Sequence, residues 1–310
     1  MPDADLIVTT ARIAHHDLVA AECASLTGGR PDADGVATAH SLDTVARAAY
    51  VHDGMRVIAR ARSFDALVDR VAASDVDADR FRVDVHDPGH RIGATSLEVA
   101  VRLADVLPYF PDLDDPRHRF VVVAQEDQFV FGEVVARSDG AYRRHDTKPW
   151  STSSSLDARF SRALVNLVPT STSILDPCCG AGSIVLEAAS LGLVAFAVDW
   201  KPAMVGMTRT NLAHFGYDAD VTRADSRTHR QHADAIVTDL PYGHAIHTDE
   251  ASVRAILENG ATCAPLGVYV APQDISSWLD AAGYETVAVH TVQKRAGFTR
   301  WIHVAEARRR

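Results

Sequence analysis

Two short stretches of this 310-residue chain combine residue types that could do chemistry. The first, Asp176-Pro177-Cys178-Cys179-Gly180-Ala181-Gly182-Ser183, follows the apolar run Ser173-Ile174-Leu175 and leads into the helix formers Ile184-Val185-Leu186-Glu187-Ala188-Ala189. It reads as strand, glycine turn and helix. Small residues let the backbone approach a ligand closely, and a helix start offers N–H groups with no partner inside the helix. Taken alone, such a turn is equally an ordinary connection. The second stretch, Thr238-Asp239-Leu240-Pro241-Tyr242, follows Ala235-Ile236-Val237. An acid, a short proline turn and an aromatic ring at a strand end can hold a flipped nucleobase. Tyr242 would stack on its face while the Asp239 carboxylate and the Leu240 carbonyl accept hydrogens from its exocyclic amine. That amine is a poor nucleophile because its lone pair is delocalised into the ring. Two acceptors favour a pyramidal nitrogen able to attack a methyl group, so positioning and electrostatics would supply most of the catalysis. The bland alternative is a strand exit closed by Pro241.

The residues around the glycine turn narrow the guest. Val194-Ala195-Phe196-Ala197-Val198 reads as a buried parallel strand ending in Asp199. This carboxylate lies about 20 residues past the turn, where doubly wound folds hold ribose hydroxyls. The turn continues Gly180-Ala181-Gly182-Ser183-Ile184-Val185, which lacks both the G-x-G-x-x-G pattern and the lysine of a phosphate-binding loop. Pyrophosphate is therefore not the expected guest. Asp176 suits a cationic amino group, and S-adenosylmethionine carries such a group together with a ribose. Strands over residues 173–177, 194–199, 219–223 and 235–239 alternate with helices over 182–191 and onward to 214. Parallel strands joined this way bind ligands at their carboxyl ends, so Asp176, Asp199, Asp225 and Asp239 are expected to line one crevice. Trp200 either packs against an adenine there or is a core aromatic. Residues 268–271, 285–291 and 301–305 suit further strands.

The preceding half shows a different alternation. A strand at 6–10, a helix through 24, a loop at 28–32, a strand at 36–39, a helix through 49, a strand at 56–61 and a helix at 64–73 predict an α+β unit. A strand at 81–85, a helix at 95–107 and a hairpin over 120–135 follow. Residues 155–167 form an amphipathic helix with Leu156, Phe160, Ala163, Leu164 and Leu167 on one face.

Composition excludes several classes. Hydrophobic residues make up 47% of the chain, enough for two cores, with no apolar stretch long enough to span a membrane. The opening Met1-Pro2-Asp3-Ala4-Asp5 has no basic segment leading an apolar one. Cys23, Cys178, Cys179 and Cys263 lack zinc-like spacing, and adjacent Cys178 and Cys179 cannot readily bridge in a tight turn. A reduced, cytoplasmic protein is expected. His15-His16 has no third ligand and the other histidines are dispersed, so no metal is expected; no serine sits in G-x-S-x-G. Residues 1–150 hold 17 Lys+Arg against 25 Asp+Glu and residues 151–310 hold 14 against 16, giving −8 and −2 and the net −10 of the chain. A nucleic-acid binder more often carries a basic surface. Of the 31 basic residues 28 are arginine, however, and Arg137, Arg143, Arg144 and Lys148 cluster in sequence. They form either a local patch for phosphates or a solvated linker.

Both motifs resemble those of class I S-adenosylmethionine-dependent methyltransferases that act on amines, whose second motif is usually [D/N]-P-P-[Y/F]. Leu240 stands where proline is usual, as in the comparable Asn-Leu-Pro-Tyr of dimethyladenosine rRNA methyltransferases. The helix at 155–167 is similar to the one preceding the glycine turn in THUMP-bearing tRNA guanine-N2-methyltransferases. Residues 81–85, 95–107 and 119–125 look like the strand, helix and strand of that RNA-binding module. The resemblance implies an α/β chain: a ferredoxin-like α+β region (1–75), a THUMP-like domain (76–137), a linker (138–154) and a Rossmann-like, doubly wound methyltransferase domain (155–310). It implies S-adenosylmethionine held by Asp176, Cys178, Gly180, Gly182, Asp199, Trp200 and Asp225. Asp225 would meet the adenine amine or, alternatively, cap a turn. It implies catalysis at Asp239, Leu240, Pro241 and Tyr242, and tRNA as partner, methylated on N2 of guanosine at position ten. The serine run at 151–155 would border the cofactor or be only a loop, and a hairpin around residues 294–297 would end the fold. Acid, turn and ring would serve adenine N6 equally, so methylation of rRNA or DNA adenine stands as a second expectation. A noncatalytic RNA-binding protein retaining the pocket stands as a third.

Overall fold

The computed structural model describes residues 5–13, 15–241, 249–295 and 297–308. Tyr242, assigned above as the stacking ring, lies outside them. The chain divides into two compact units, residues 1–12, 26–46 and 51–139 in one and residues 13–25, 47–50 and 140–310 in the other.

The first unit is built on a six-stranded sheet. Its strands are β1 (Leu6–Thr10), β2 (Val36–Ala39), β3 (Val51–Ala61), β4 (Phe81–His86), β5 (His118–Ala124) and β6 (Phe129–Arg137), in the order β2-β1-β3-β6-β5-β4. All neighbours are antiparallel except β4 and β5. A parallel pair needs a crossover, and α3 (Ser96–Ala104) lies in it. A Thr95–Glu98 capping box opens that helix, and α2 (Phe64–Ala72) is capped by Ser63. Along β5 the side chains alternate. Phe120 and Val122 pack with Leu67, Phe81, Val99 and Leu103, whereas Val121 and Val123 pack with Ile7, Met55 and Val130. Strands from the expected segments 1–75 and 76–137 thus share one sheet, joined where β3 pairs with β6.

The helix expected through residue 49 is reduced to a single 3-10 turn, Val45–Arg47. The cause is a buried acid: Glu22, on α1 (His16–Thr27), accepts the N–H groups of Ala49 and Tyr50 at 2.8 and 2.6 Å. That capture holds the backbone out of the helical path, and β3 begins at Val51, earlier than the residue pattern indicates.

The second unit carries a seven-stranded sheet. In chain order its elements are α4 (Ala158–Asn166), β7 (Ser173–Asp176), α5 (Ser183–Ser190), β8 (Val194–Asp199), α6 (Pro202–Phe215), β9 (Asp220–Arg223), β10 (Ala235–Asp239), α7 (Glu250–Cys263), β11 (Leu266–Ala271), α8 (Ser276–Ala282), β12 (Tyr284–Arg295) and β13 (Phe298–Ala307). The sheet order is β12-β13-β11-β10-β7-β8-β9, parallel from β11 to β9, with β13 antiparallel to both its neighbours. The structure adds α7 and α8 to the strand series expected after residue 239. From β7 the chain builds outward through β8 and β9, then returns to place β10 on β7's other side. That reversal is a topological switch point, and it opens a crevice at the carboxyl ends of β7 and β10.

Within the expected linker, Ala141–Thr147 forms a 3-10 helix whose Tyr142 and His145 are buried. Its basic residues are engaged locally. The Arg143 guanidinium lies over Tyr142, and that of Arg144 lies over Phe215 and Tyr217. Burial lowers the affinity of the Lys148 ammonium for its proton. In the first unit, Arg137 pairs with Asp53 at 2.6 Å.

Candidate active site

The glycine turn takes its shape from two left-handed residues, Gly180 at φ 54° and Gly182 at φ 82°. Gly182 is also confined by space, since a Cβ there would sit 2.8 Å from the Thr208 methyl of α6. At Gly180 a Cβ would meet nothing within 4 Å, so that side of the turn is open. The carbonyls of Gly180 and Ala181 are held from behind, by Thr208 Oγ1 at 2.8 Å and Asn211 Nδ2 at 2.9 Å.

The switch-point crevice is a cleft of about 550 Å³ lined by all four strand-end acids, Asp176, Asp199, Asp225 and Asp239. Cys178, Gly180, Trp200, Leu240 and Pro241 line it as well, as do Thr152, Ser154 and Ser155 of the serine run. Gly182 does not line it and acts through the packing of the turn. Trp200 is not a core aromatic, for 64% of it is exposed. Sequence reasoning missed Lys201, Ser226 and Arg227 on the walls and Asn211 behind them. Only the three-dimensional path of α6 and of the loop after β9 brings them there.

Each acid has a distinct environment. Asp176 is buried, and its Oδ1 accepts from Cys178 N at 3.1 Å and from the Thr238 hydroxyl at 2.7 Å. Burial pushes its carboxyl up to about 7; these two bonds oppose that rise, and nearby Asp239 and Asp199 add to it. Asp199 braces the turn, accepting from Gly180 N at 3.1 Å and Lys201 N at 2.8 Å, while burial raises its carboxyl. Asp225 closes a turn on Arg227 N at 3.0 Å and is forked by the Arg227 guanidinium, with Nη2 at 2.6 Å from Oδ2, which holds it below the usual range. It therefore serves as turn cap and cleft wall together. Half-buried Cys178 and buried Cys179 are held as neutral thiols, first by desolvation and then by the adjacent carboxylates.

Asp239 ends β10, and the structure accounts for leucine at the next position. Leu240 N donates to Val270 O at 3.0 Å, a bond proline could not make, and its side chain packs in the core with Leu175, Ile236 and Leu257. A ladder hydrogen bond stiffens this loop where a second proline ring usually would.

Four acids and two cations, Lys201 and Arg227, line the cleft, and Arg227 is paired with Asp225. Its volume suits a nucleoside-sized guest. The excess of acids selects against pyrophosphate and for a guest carrying positive charge, so the residues present fit S-adenosylmethionine, with its ammonium, sulfonium and ribose.

Comparison with known proteins bears on this arrangement. Residues 144–259 match the family UPF0020, described as RMKL-like, methyltransferase domain. The chain is 31% identical over 216 residues to the tRNA (guanine(10)-N2)-dimethyltransferase of Methanothermobacter thermautotrophicus, covering 65% of this chain and 64% of that one. It is 28% identical over 179 residues to the protein of the same name from Pyrococcus abyssi, covering 54% of each. The match thus spans somewhat under two thirds of the first of these relatives and about half of the second. Among solved structures, TrmN from Thermus thermophilus superposes with a TM-score of 0.53 at 20% identity, over 98% of this chain and 99% of that one, a likeness of fold.

Proposed function

We propose that this protein transfers a methyl group from S-adenosylmethionine to the exocyclic N2 amine of a guanosine in tRNA, at position ten. The observation that carries the reading is that Asp239 and Leu240 line the same cleft as Asp176 and Asp199. The names of the relatives at 31% and 28% identity support guanosine and tRNA.

When bound, the cofactor supplies an electrophilic methyl on a sulfonium. The chain's residues do the rest. Asp176 holds the ammonium, Asp199 the ribose hydroxyls, Asp225 the adenine amine, and Trp200 offers an exposed ring to the adenine face. Asp239 and the Leu240 carbonyl accept the two amine hydrogens of the target base, and Pro241 and Tyr242 complete its seat. The first unit, with its β4–α3–β5 segment as the THUMP-like part, grips the RNA. Arg137 of that unit and Arg143, Arg144 and Lys148 of the second are the candidate phosphate contacts. Four free cysteines fit a reducing cytoplasm, and no described helix is long and apolar enough to cross a membrane.

Incubation of the protein with methyl-labelled cofactor and total tRNA, followed by digestion to nucleosides, is expected to yield labelled N2-methylguanosine or its dimethyl form. Labelled N6-methyladenosine would refute the base assignment. No label in any nucleoside would refute the enzyme.

A pH dependence follows from Asp176. Its folded-state carboxyl lies at about 7, above the ordinary value near 3.9, so the native state holds this proton more tightly than the unfolded chain. The resulting stabilisation is full below pH ~4 and is lost as pH rises through about 7. An ammonium ligand favours the carboxylate, so binding below pH ~7 should release a proton and tighten with pH, by up to about tenfold per unit. Calorimetry at pH 6 in buffers of different ionisation enthalpy reads that proton. An Asp176→Asn protein that releases it equally would remove Asp176 from this role.

A further inference from the structure

The segment at residues 150–155, which brings Thr152, Ser154 and Ser155 to the cleft, is fastened at its start to the glycine turn by one side chain. Asn211 lies on α6 with no exposed surface. Its Oδ1 accepts from Trp150 N at 2.9 Å, and its Nδ2 donates to Trp150 O at 2.8 Å and to Ala181 O at 2.9 Å. Both backbone groups of Trp150 are thus taken by one amide, as a neighbouring strand would take them, while the second amide hydrogen reaches the turn. One helical turn earlier, on the same face, the Thr208 hydroxyl donates to Gly180 O at 2.8 Å. Consecutive turn carbonyls are drawn toward α6. Because a trans peptide sets its N–H opposite its C=O, the Ala181 N–H turns away from that helix.

Beyond Trp150 the strap forms a compact knot. Thr152 N donates to Ser155 Oγ at 2.8 Å, Ser155 N to Thr152 O at 3.0 Å, and the Thr152 hydroxyl lies 3.0 Å from that of Ser154. Its far end is tied where the Ser183 hydroxyl donates to Leu156 O at 3.0 Å. The strap therefore has two moorings, and both lead to the glycine turn and the first residue of the helix after it. Thr152, Ser154 and Ser155 line the cleft, whereas Asn211 and Thr208 do not.

We propose that Asn211, assisted by Thr208, is a positioning residue that sets the strap at residues 150–155 against the glycine turn, so that cofactor affinity depends on it and the methyl-transfer step does not. The inference rests on the cofactor reading above. Aspartate at 211 keeps the acceptor for Trp150 N, loses both donors and sets a negative charge against two carbonyls, with little change in shape.

The test uses the full chain. For Asn211→Asp, the dissociation constants of S-adenosylmethionine and S-adenosylhomocysteine should rise together, by about 10-fold or more. Turnover at saturating cofactor should stay within about threefold. In the ligand-free protein, amide exchange over residues 150–155 should accelerate while the strands of the sheet stay protected, a readout that general destabilisation would not confine to the strap. Thr208→Val, which removes the bond to Gly180 O and the longer contact with Cys179 Sγ and keeps the shape, should move both constants the same way by a smaller factor, and it decides the matter if Asn211→Asp does not fold. A folded Asn211→Asp protein with unchanged constants overturns the proposal, as does one that loses turnover and keeps its affinity; so does unchanged affinity in Thr208→Val. If the unaltered protein binds neither nucleoside, the cofactor reading fails first, and this inference falls with it.

Discussion

Asp239→Ala is expected to lower turnover by about 10²-fold or more while leaving cofactor affinity within a fewfold of the unaltered protein. A positioned acceptor for a reacting group is worth roughly 3–4 kcal/mol when it acts in a partly desolvated site. Asp239 ends β10 half-buried in the cleft wall, and its backbone is fixed by pairing with Val270 of β11. Its substitution should therefore change the chemistry at the amine and not the shape of the loop. Asp239→Asn should retain part of the activity, because the amide oxygen still accepts one hydrogen. Single-turnover rates with saturating cofactor and tRNA separate this from a binding defect. Equal rates for Asp239→Ala and the unaltered protein would remove Asp239 from the reaction.

The largest expected effect on stability lies at Glu187, on the helix that follows the glycine turn. Its Oε1 meets His145 Nδ1 at 2.6 Å and its Oε2 meets Arg162 Nε at 2.8 Å, and all three side chains are almost wholly buried. Arg162 also donates to Ser190 Oγ at 2.7 Å and Arg47 O at 3.2 Å, and His145 Nε2 lies 3.0 Å from the Tyr217 hydroxyl. Glu187→Ala leaves the Arg162 guanidinium buried without its counter-charge, which costs about 3–5 kcal/mol. The denaturation midpoint should fall accordingly at unchanged slope. Replacing Glu187 and Arg162 together by methionine should recover much of the loss, since desolvation of both charges is then avoided. A loss below about 1 kcal/mol for Glu187→Ala would show that water reaches the guanidinium.

Both residues sit in stretches that the sequence marks, yet only one is marked as a candidate for the site. The place of Asp239 in the cleft was legible because acid, turn and strand end fall together within a few residues. Glu187 reads as one more helix former. Its partners His145 and Arg162 lie 42 and 25 residues away, and nothing local signals that the three converge. Asn211 is similar, 61 residues from the Trp150 backbone that it holds. Glu22 departs furthest from local reading. By taking the N–H groups of Ala49 and Tyr50, and by accepting from Asn166 Nδ2 at 2.7 Å across 144 residues, it overrides the helix that the intervening residues favour.

Leu240 shows the opposite case, in which a departure from the usual motif acquires a reason. As a sequence feature it removes a stiffening ring. In the fold its N–H joins the β11 ladder and its side chain completes the core behind the cleft. The acidity of the chain is likewise partly local in origin, since four carboxylates converge where a cationic guest would sit.

By itself the sequence determined the order of strands and helices in the second unit as far as residue 239, the glycine turn between the first strand and its helix, and the rule that acids at strand ends face one side. These follow from side-chain period, glycine's missing Cβ and the direction of parallel strands, all of which are local. Tertiary structure decided that Trp200 faces the cleft, that residues 151–155 form one of its walls, and that buried amides and carboxylates tie distant backbone segments to the turn. Those outcomes depend on desolvation, which compels each buried polar group to find a partner, and that partner is set by the path of the chain through space, not by its neighbours in sequence.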